Sequence, residues 1–167
     1  MRIEGAKFLK SGEEQDFSFV APVAAFDINS DGAEDVSFEG EVRIEGKVGF
    51  TGEVYRVEGE IAVTKNFNCD RCLVPVKREE IYALREDFAD TVRDDAFLLA
   101  ASGDIELYDA VRETIIAAQP AANYCRDDCL GLCRVCGKNL NDGDCGCDRQ
   151  VIDPRLAVLG DFFSEKR

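Results

Sequence analysis

Eight cysteines are the residues of this chain whose type and spacing point most directly to chemistry. They form four close pairs, of which two are C-x2-C, one is C-x3-C and one is C-x-C. Such a pair can direct both sulfurs at one centre, and soft thiolates favour Zn²⁺ in a closed tetrahedral site. The chain has no histidine to contribute. The spacing therefore predicts two zinc ions bound by Cys69, Cys72, Cys125, Cys129, Cys133, Cys136, Cys145 and Cys147.

The division of the eight thiols between two ions is a separate prediction. Eight residues, "GKNLNDGD", separate the last two pairs, which is enough for a ribbon loop. Gly137, directly after a C-x2-C pair, can supply the left-handed backbone conformation that such a turn tends to need. We expect one local site (Cys133, Cys136, Cys145, Cys147) and a second site that ties the C-terminal segment to the preceding sheet (Cys69, Cys72, Cys125, Cys129). Another division of the pairs remains open.

Eight thiols also have uses other than structural zinc. The N-terminal residues "MRIEGAKFLKSGEEQDF" lack the apolar run of a signal peptide, and no stretch approaches the roughly 20 apolar residues of a membrane span. We therefore expect a cytoplasmic protein with no membrane segment, where disulfides seldom persist. Iron–sulfur ligation and a thiol-based redox or metal-responsive switch stay open as alternatives.

Composition limits the class of protein and of partner. A hydrophobic content of 46% in 167 residues excludes a disordered chain and allows one domain with a small appendage. The net charge of −14 repels phosphate backbones and favours basic partners. No histidine base and no glycine-rich phosphate loop are present, and zinc with four cysteine ligands has no open position for water. We therefore expect a protein that is not an enzyme.

A period of two in the apolar residues predicts β-structure. Apolar residues or glycines fall on even positions from Val36 to Val54 and on odd positions from Val57, which requires a turn or bulge near Tyr55 and Arg56. The stretches "FSFV" and "MRIEGAKFL" are expected to join the same sheet. The pattern predicts a twisted antiparallel sheet or partial barrel with one solvated face and one buried face.

Helices are expected to be few. An acidic connector is predicted between Glu86 and Glu106, followed by a helix with Asp104 as N-cap that ends at about Gln119, just before a proline. Its apolar stripe would be Leu107, Val111, Ile115 and Ala118.

A second helix is predicted at the C-terminal end, with Asp153 as N-cap and Pro154 in its first turn. The expected fold is therefore α+β: a twisted antiparallel sheet or partial barrel, few helices, and a C-terminal cysteine-rich segment like a zinc ribbon. We expect a β-rich domain with one connecting helix over residues 1–120. Residues 121–167 would form the cysteine-rich segment and a C-terminal helix docked on that domain.

Three motifs resemble one known family. "CDRCL" (69–73), "YCRDDCLGLCRVCGKNLNDGDCGC" (124–147) and "DPRLAVLGDFF" (153–163) are similar, in order and wording, to the YceD family of large ribosomal RNA subunit accumulation proteins. The resemblance implies a role in the accumulation of large-subunit ribosomal RNA, and thus in ribosome biogenesis. It implies no catalytic residues.

Two kinds of partner are compatible with that role. A strongly acidic surface can hold a basic protein in solution before it meets RNA, so the first hypothesis is binding of a basic large-subunit ribosomal protein or a pre-ribosomal particle. The alternative is a zinc protein that contacts ribosomal RNA directly, through a local basic spot formed by Arg71, Arg126, Arg134 and Arg149.

Overall fold

The computed structural model describes residues 1–4, 9–29 and 36–149. The chain divides into two compact units. We call Met1–Asn68 with Pro75–Asn123 the sheet unit, and Cys69–Val74 with Tyr124–Arg167 the cysteine unit. The strands and the α-helix of the described residues are β1 (Arg2–Ile3), β2 (Glu14–Pro22), β3 (Val36–Phe50), β4 (Tyr55–Asn68), β5 (Pro75–Ala89), β6 (Phe97–Leu98), β7 (Ile105–Glu106) and α1 (Tyr108–Ala117), and two short 3-10 turns lie at Val23–Ala25 and Leu140–Asp142.

A five-stranded open sheet is the main feature of the sheet unit. Its order is β2-β3-β4-β5-β6; the first three pairings are antiparallel, and the short last one is parallel. The fold class predicted from the sequence is confirmed, because the described residues are mostly sheet with one α-helix and six of the eight grouped cysteines lie in the C-terminal region. The parallel β5–β6 pair makes the sheet mixed rather than purely antiparallel.

The two strands of the central hairpin follow the predicted period. Buried side chains of β3 fall on even positions and those of β4 on odd positions. The change of phase comes from a turn at Thr51–Val54, where the Thr51 N–H donates to the Val54 carbonyl over 2.9 Å, so the turn lies just before the predicted position at Tyr55 and Arg56. A β-bulge between Glu39 and Arg43 interrupts the same ladder.

The N-terminal prediction is correct for one stretch and wrong for the other. "FSFV" lies in β2 and pairs with β3. Of the stretch that begins at Met1, the described strand β1 pairs with β7 and not with the main sheet, and Ile3 lies opposite Ile105. Both isoleucines are buried, so this small second sheet is stabilised by the core.

That same pairing corrects the predicted helix. The sequence predicts an N-cap at Asp104, but Ile105 is paired in β7, and α1 begins only at Tyr108 and ends at Ala117. The buried stripe holds for Leu107, Val111 and Ile115 but not for Ala118, which is exposed.

The predicted connector from Glu86 to Glu106 is wrong at both ends. Strand β5 continues to Ala89, and β6 and β7 lie within the rest.

Two expectations lie beyond what these residues test. The predicted C-terminal helix at residues 153–163 is outside the described residues, and the domain boundary at residue 120 stays a prediction. Within the described part of the chain, no helix is both long enough and apolar enough to cross a membrane.

The core of the sheet unit joins the buried face of the sheet to β1, β7 and α1. Apolar burial of this kind stabilises a fold by roughly 25 cal/mol per Å². The fully or nearly fully buried side chains include Ile3, Phe26, Ile28, Val42, Ile44, Val48, Val57, Ile61, Leu84, Phe88, Ile105, Leu107, Val111 and Ile115.

Close packing of β3 on β4 at one glycine pair gives a test of the sheet. Gly46 lies opposite Gly59, and a Cβ at Gly46 would lie 2.3 Å from the Glu58 carbonyl oxygen. Because backbone must then move, we expect Gly46→Ala to lower the free energy of unfolding by about 1–3 kcal/mol. At Gly49 in the same strand the nearest atom would be 3.5 Å away, so Gly49→Ala should change stability by less than about 0.5 kcal/mol. Urea unfolding measures both, and equal stabilities would contradict the register.

Candidate metal centres

Four cysteines of the cysteine unit form what we call the first tetrad: Cys69, Cys72, Cys125 and Cys129. Their sulfurs all lie within 4.8 Å of one another. The Cys69–Cys129 sulfur distance is 3.8 Å and the Cys72–Cys125 distance is 3.7 Å. A tetrahedron with Zn–S bonds of about 2.3 Å has edges of about 3.8 Å. The four sulfurs are therefore spaced as ligands of one metal ion, and far too widely for disulfides.

Backbone hydrogen bonds shape the first half of this tetrad. The Leu73 N–H donates to the Cys69 carbonyl over 2.8 Å, and the Cys69 N–H donates to the Val74 carbonyl over 3.0 Å. Leu73 adopts a left-handed conformation, with φ of 60°, which costs a non-glycine residue roughly 1–2 kcal/mol. The turn therefore brings the two sulfurs of the C-x2-C pair together at the cost of one strained residue.

Arg71 fixes the second half of the tetrad against the first. Its guanidinium donates to the carbonyls of Asp127 and Cys129, over 3.2 and 3.1 Å, and lies 4.1 Å from the centre of the Tyr124 ring. The Leu132 N–H in turn donates to the Arg71 carbonyl over 3.0 Å. The sequence suggests Arg71 as part of a basic spot for RNA, whereas in the structure its guanidinium contacts groups of the cysteine unit.

The second tetrad consists of Cys133, Cys136, Cys145 and Cys147, and its sulfurs also lie within 4.8 Å of one another. Gly137 has φ of 74° and donates its N–H to the Cys133 carbonyl over 2.8 Å, as the left-handed turn predicts. Cys133 is buried, Cys136 is exposed and the other two are half-buried. The structure thus brings the eight cysteines together in the two groups expected from their spacing, and both groups can hold a metal ion.

The first tetrad contains thiols of opposite acidity. Burial disfavours the Cys69 thiolate, but the N–H groups of Cys125, Cys72 and Arg71 outweigh it and lower the Cys69 pKa to about 6. Burial raises the Cys125 pKa to about 12, and its hydrogen bonds to the neighbouring cysteine sulfurs act in the same direction. Four thiolates at this distance repel one another, so full ionisation requires a cation among them.

The second tetrad repeats this arrangement. N–H groups of Cys136 and Val135 lower the Cys133 pKa to about 6 despite burial. Hydrogen bonds to Cys136 and Cys145 raise the Cys147 pKa to about 12. Each donor set therefore contains one thiol whose lowered pKa favours the thiolate that binds a thiophilic metal, and another whose raised pKa means that a bound cation would favour its ionisation.

Asn141 is a residue of this region that sequence reasoning missed. Its Nδ2 donates to the Cys129 sulfur over 3.4 Å, and its Oδ1 accepts from the Leu130 N–H over 3.0 Å and from Arg126 over 2.8 Å. The available signal was the turn sequence "KNLND", in which asparagines commonly bond to nearby backbone. Asn139 does so, since its side chain accepts from the Asn141 N–H over 3.0 Å.

Comparisons with known proteins point to mycobacterial relatives. An uncharacterized protein of Mycobacterium tuberculosis is 33% identical over 110 residues, covering 62% of this chain and 53% of that protein. An uncharacterized protein of Mycobacterium leprae is 28% identical over 130 residues, covering 74% of this chain and 59% of that protein. The chain spans about half the length of the curated relatives it matches. No solved structure matches it significantly.

A family model gives the wider relationship. The model described as large ribosomal RNA subunit accumulation protein YceD matches residues 57–163, more than half of the chain. The match includes all eight cysteines and most of β4, together with β5 and α1. The description names the accumulation of an RNA and no chemical reaction. The chain belongs to the YceD family of large ribosomal RNA subunit accumulation proteins.

Proposed function

We propose that this protein supports the accumulation of large-subunit ribosomal RNA by binding a basic ribosomal protein or an early assembly particle in the cytoplasm. The family description supplies the process, and the net charge of −14 favours a basic partner. An acidic protein repels naked RNA but can accompany a basic protein until RNA displaces it.

Exposed apolar side chains on the cysteine unit favour a protein over RNA as the first partner. Leu73 and Leu130 are 64% and 65% exposed, and each directly follows the second cysteine of a pair in the first tetrad. The turn requires a left-handed residue after the second cysteine, and Leu73 occupies that position with an exposed apolar side chain, whereas Gly137 occupies the matching position after Cys136 without strain. Exposed aliphatic side chains fit an apolar patch on a protein, since bases stack on aromatic rings or guanidinium planes.

The arginines near the cysteines give little support to direct RNA binding, because most of them are engaged in other contacts. Arg71 is engaged with carbonyls and with Tyr124, Arg126 with Asn141 and Asp128, and Arg149 with Asp144. Within the described ranges, Arg134 is the member of this group that makes no hydrogen bond or ion pair. Direct RNA contact through exposed Arg134 is the second candidate function.

Zinc is the proposed occupant of both tetrads. All-cysteine donor sets support it in both tetrads, and in the first tetrad the two sulfur distances of 3.8 and 3.7 Å lie near the tetrahedral edge. Zinc bound by four cysteines has no free position for water, so its role here is structural: it neutralises the thiolates and holds together the two turns that carry the cysteine pairs. Each site of four thiolates and one Zn²⁺ carries a net −2, which adds to the acidity of the chain.

Binding to isolated partners tests the proposed function. We expect the protein, freed of nucleic acid, to bind at least one purified basic large-subunit ribosomal protein, and to bind naked large-subunit RNA at least about tenfold more weakly at physiological salt. Leu73→Gly should keep the fold, because glycine adopts a positive φ without strain, but weaken protein binding. Titration calorimetry or fluorescence anisotropy measures each affinity.

Ile81→Ala is the matched control, because Ile81 is 61% exposed on β5 of the sheet unit. It should leave the affinity unchanged. Tight stoichiometric binding to naked ribosomal RNA, with none to any isolated ribosomal protein, would reverse the proposal. Arg134→Ala would then be the first variant to test for a phosphate contact.

A further inference from the structure

The segment between Cys136 and Cys145 joins two cysteines of the second tetrad, but one of its side chains contacts the first tetrad. Both flanking cysteines are members of the second tetrad. From within this segment Asn141 donates its Nδ2 hydrogen to the sulfur of Cys129, a member of the first tetrad, over 3.4 Å. One side chain therefore connects the two groups of sulfurs.

The Asn141 side chain is held on that sulfur by three further hydrogen bonds. Its Oδ1 accepts from the Leu130 N–H and from Arg126, and its Nδ2 also donates to Asn139 Oδ1 over 2.7 Å. The backbone next to it is fixed as well, since the Leu140 N–H donates to the Gly131 carbonyl over 2.9 Å. The amide is thus directed by a complete set of partners, which is unlike a surface asparagine that meets a sulfur by chance.

We propose that Asn141 couples the two metal sites: an ion in the second tetrad fixes the segment 137–144, which holds the Asn141 amide on the Cys129 sulfur and so strengthens metal binding at the first tetrad. The inference rests on the proposed occupancy of both tetrads by metal. An N–H donor on a thiolate ligand stabilises its charge and orients its lone pairs, and loss of such an outer-shell partner typically costs 10–100-fold in metal affinity. Coupling of this kind is reciprocal, so an ion in the first tetrad also strengthens binding at the second.

The segment itself explains why the second ion is needed. Residues 137–144 contain two glycines and the turn sequence "NDG", and its one regular element is a single 3-10 turn at Leu140–Asp142. A chain of this composition has high conformational entropy when its ends are free. Joining Cys136 and Cys145 through one ion closes the loop and lowers the entropy lost when Asn141 reaches Cys129.

The experiment measures Zn²⁺ affinity of the full chain by competition with a chromophoric chelator, and absorption of the Co²⁺-loaded protein. Asn141→Ala should lower affinity at the first tetrad about tenfold. Asn141→Asp should lower it at least as much, because it keeps an acceptor for Leu130 and Arg126 but removes the N–H donor and brings a negative charge to the sulfur. Asp142→Asn is the matched control, because Asp142 is the exposed residue next to Asn141, and this variant should leave the Zn²⁺ affinity of the first tetrad unchanged.

Absorption distinguishes a hydrogen bond to sulfur from a general effect on folding. An N–H donor stabilises the sulfur electrons, so the sulfur-to-cobalt charge-transfer band of the first tetrad should move to longer wavelength in both Asn141 variants and stay in place in Asp142→Asn. A variant that merely loosens the loop would not move the band while the first site remains loaded.

A double-variant cycle tests the coupling itself. Cys136→Ser, which removes the second site, should also lower affinity at the first tetrad about tenfold, and adding Asn141→Ala should lower it no further. Independent, additive losses would overturn the coupling, as would an unchanged affinity and band in the Asn141 variants. Either result leaves zinc binding standing, whereas a wild-type chain that binds neither Zn²⁺ nor Co²⁺ would refute the zinc sites and the coupling together.

Discussion

Replacing Cys69 by serine should remove the metal ion of the first tetrad and open the cysteine unit while the main sheet stays folded. Structural zinc sites contribute on the order of 10 kcal/mol to the folding of the segments they join. Without the ion, the bonds that close the first tetrad, such as the Leu132 N–H to the Arg71 carbonyl, have little apolar packing to support them. We expect amide exchange in residues 124–132 to accelerate at least about 100-fold, a loss of about 2.7 kcal/mol of protection.

Hydrogen exchange read by mass spectrometry measures this change peptide by peptide. Amides of β3, β4 and β5 are the internal reference, because their ladder and buried face contain no cysteine. Cys136→Ser is the comparison variant, and its fastest exchange should fall within residues 133–149. Uniform protection of residues 124–132 in Cys69→Ser would contradict the assignment of Cys69 to this tetrad and favour another pairing.

The features that sequence could predict are those set by local spacing. Only eight residues separate the two cysteine pairs of the second tetrad, so their short distance along the chain predicts that they share one site. The first tetrad then consists of the other four cysteines. The alternation in β3 and β4 is likewise local, because each side chain lies on the face opposite to its neighbour's.

The features that sequence missed depend on contacts distant in the chain. The helix starts late because Ile105 pairs with Ile3, about a hundred residues earlier. Lys65 occupies a buried position in β4 where the alternation favours an apolar residue, and its Nζ donates to Asn123 Oδ1 over 2.6 Å. The sequence around Arg71 and Asn141 is typical of polar surface residues. In the fold, Arg71 donates to the Cys129 carbonyl and Asn141 donates to the Cys129 sulfur. No local pattern specifies such partners.

The unequal burial of the two tetrads leads to the second large effect, a release of metal in two stages. In the first tetrad Cys69, Cys72 and Cys129 are 0%, 5% and 4% exposed. In the second tetrad Cys136 is exposed. A chelator or thiol reagent must reach a sulfur to replace its bond to metal, and buried sulfurs become accessible only when the structure opens locally.

Chelation of the purified zinc protein should therefore release about two equivalents in two phases. The first equivalent should come from the second tetrad, and the other should follow at least about tenfold more slowly, which corresponds to about 1.4 kcal/mol of extra opening cost. A metallochromic dye follows the kinetics, and iodoacetamide with peptide mass spectrometry identifies the first thiol freed, expected to be Cys136. Cys136→Ser should abolish the fast phase and retain the slow equivalent.

Such staging would give the chain a metal site that responds to its surroundings beside one that maintains the fold. The exposed Cys136 can react with an oxidant or lose its metal to a competing chelator first, while the ion of the first tetrad still joins the two cysteine-pair turns of that site. Release of both equivalents in a single phase, or earlier alkylation of Cys69 than of Cys136, would show that accessibility does not set the order. Single-phase release would mean that the two tetrads lose their ions as one cooperative unit, and alkylation of Cys69 first would mean that the first tetrad opens before the second. Either result would contradict a metal-responsive role that rests on the exposure of Cys136.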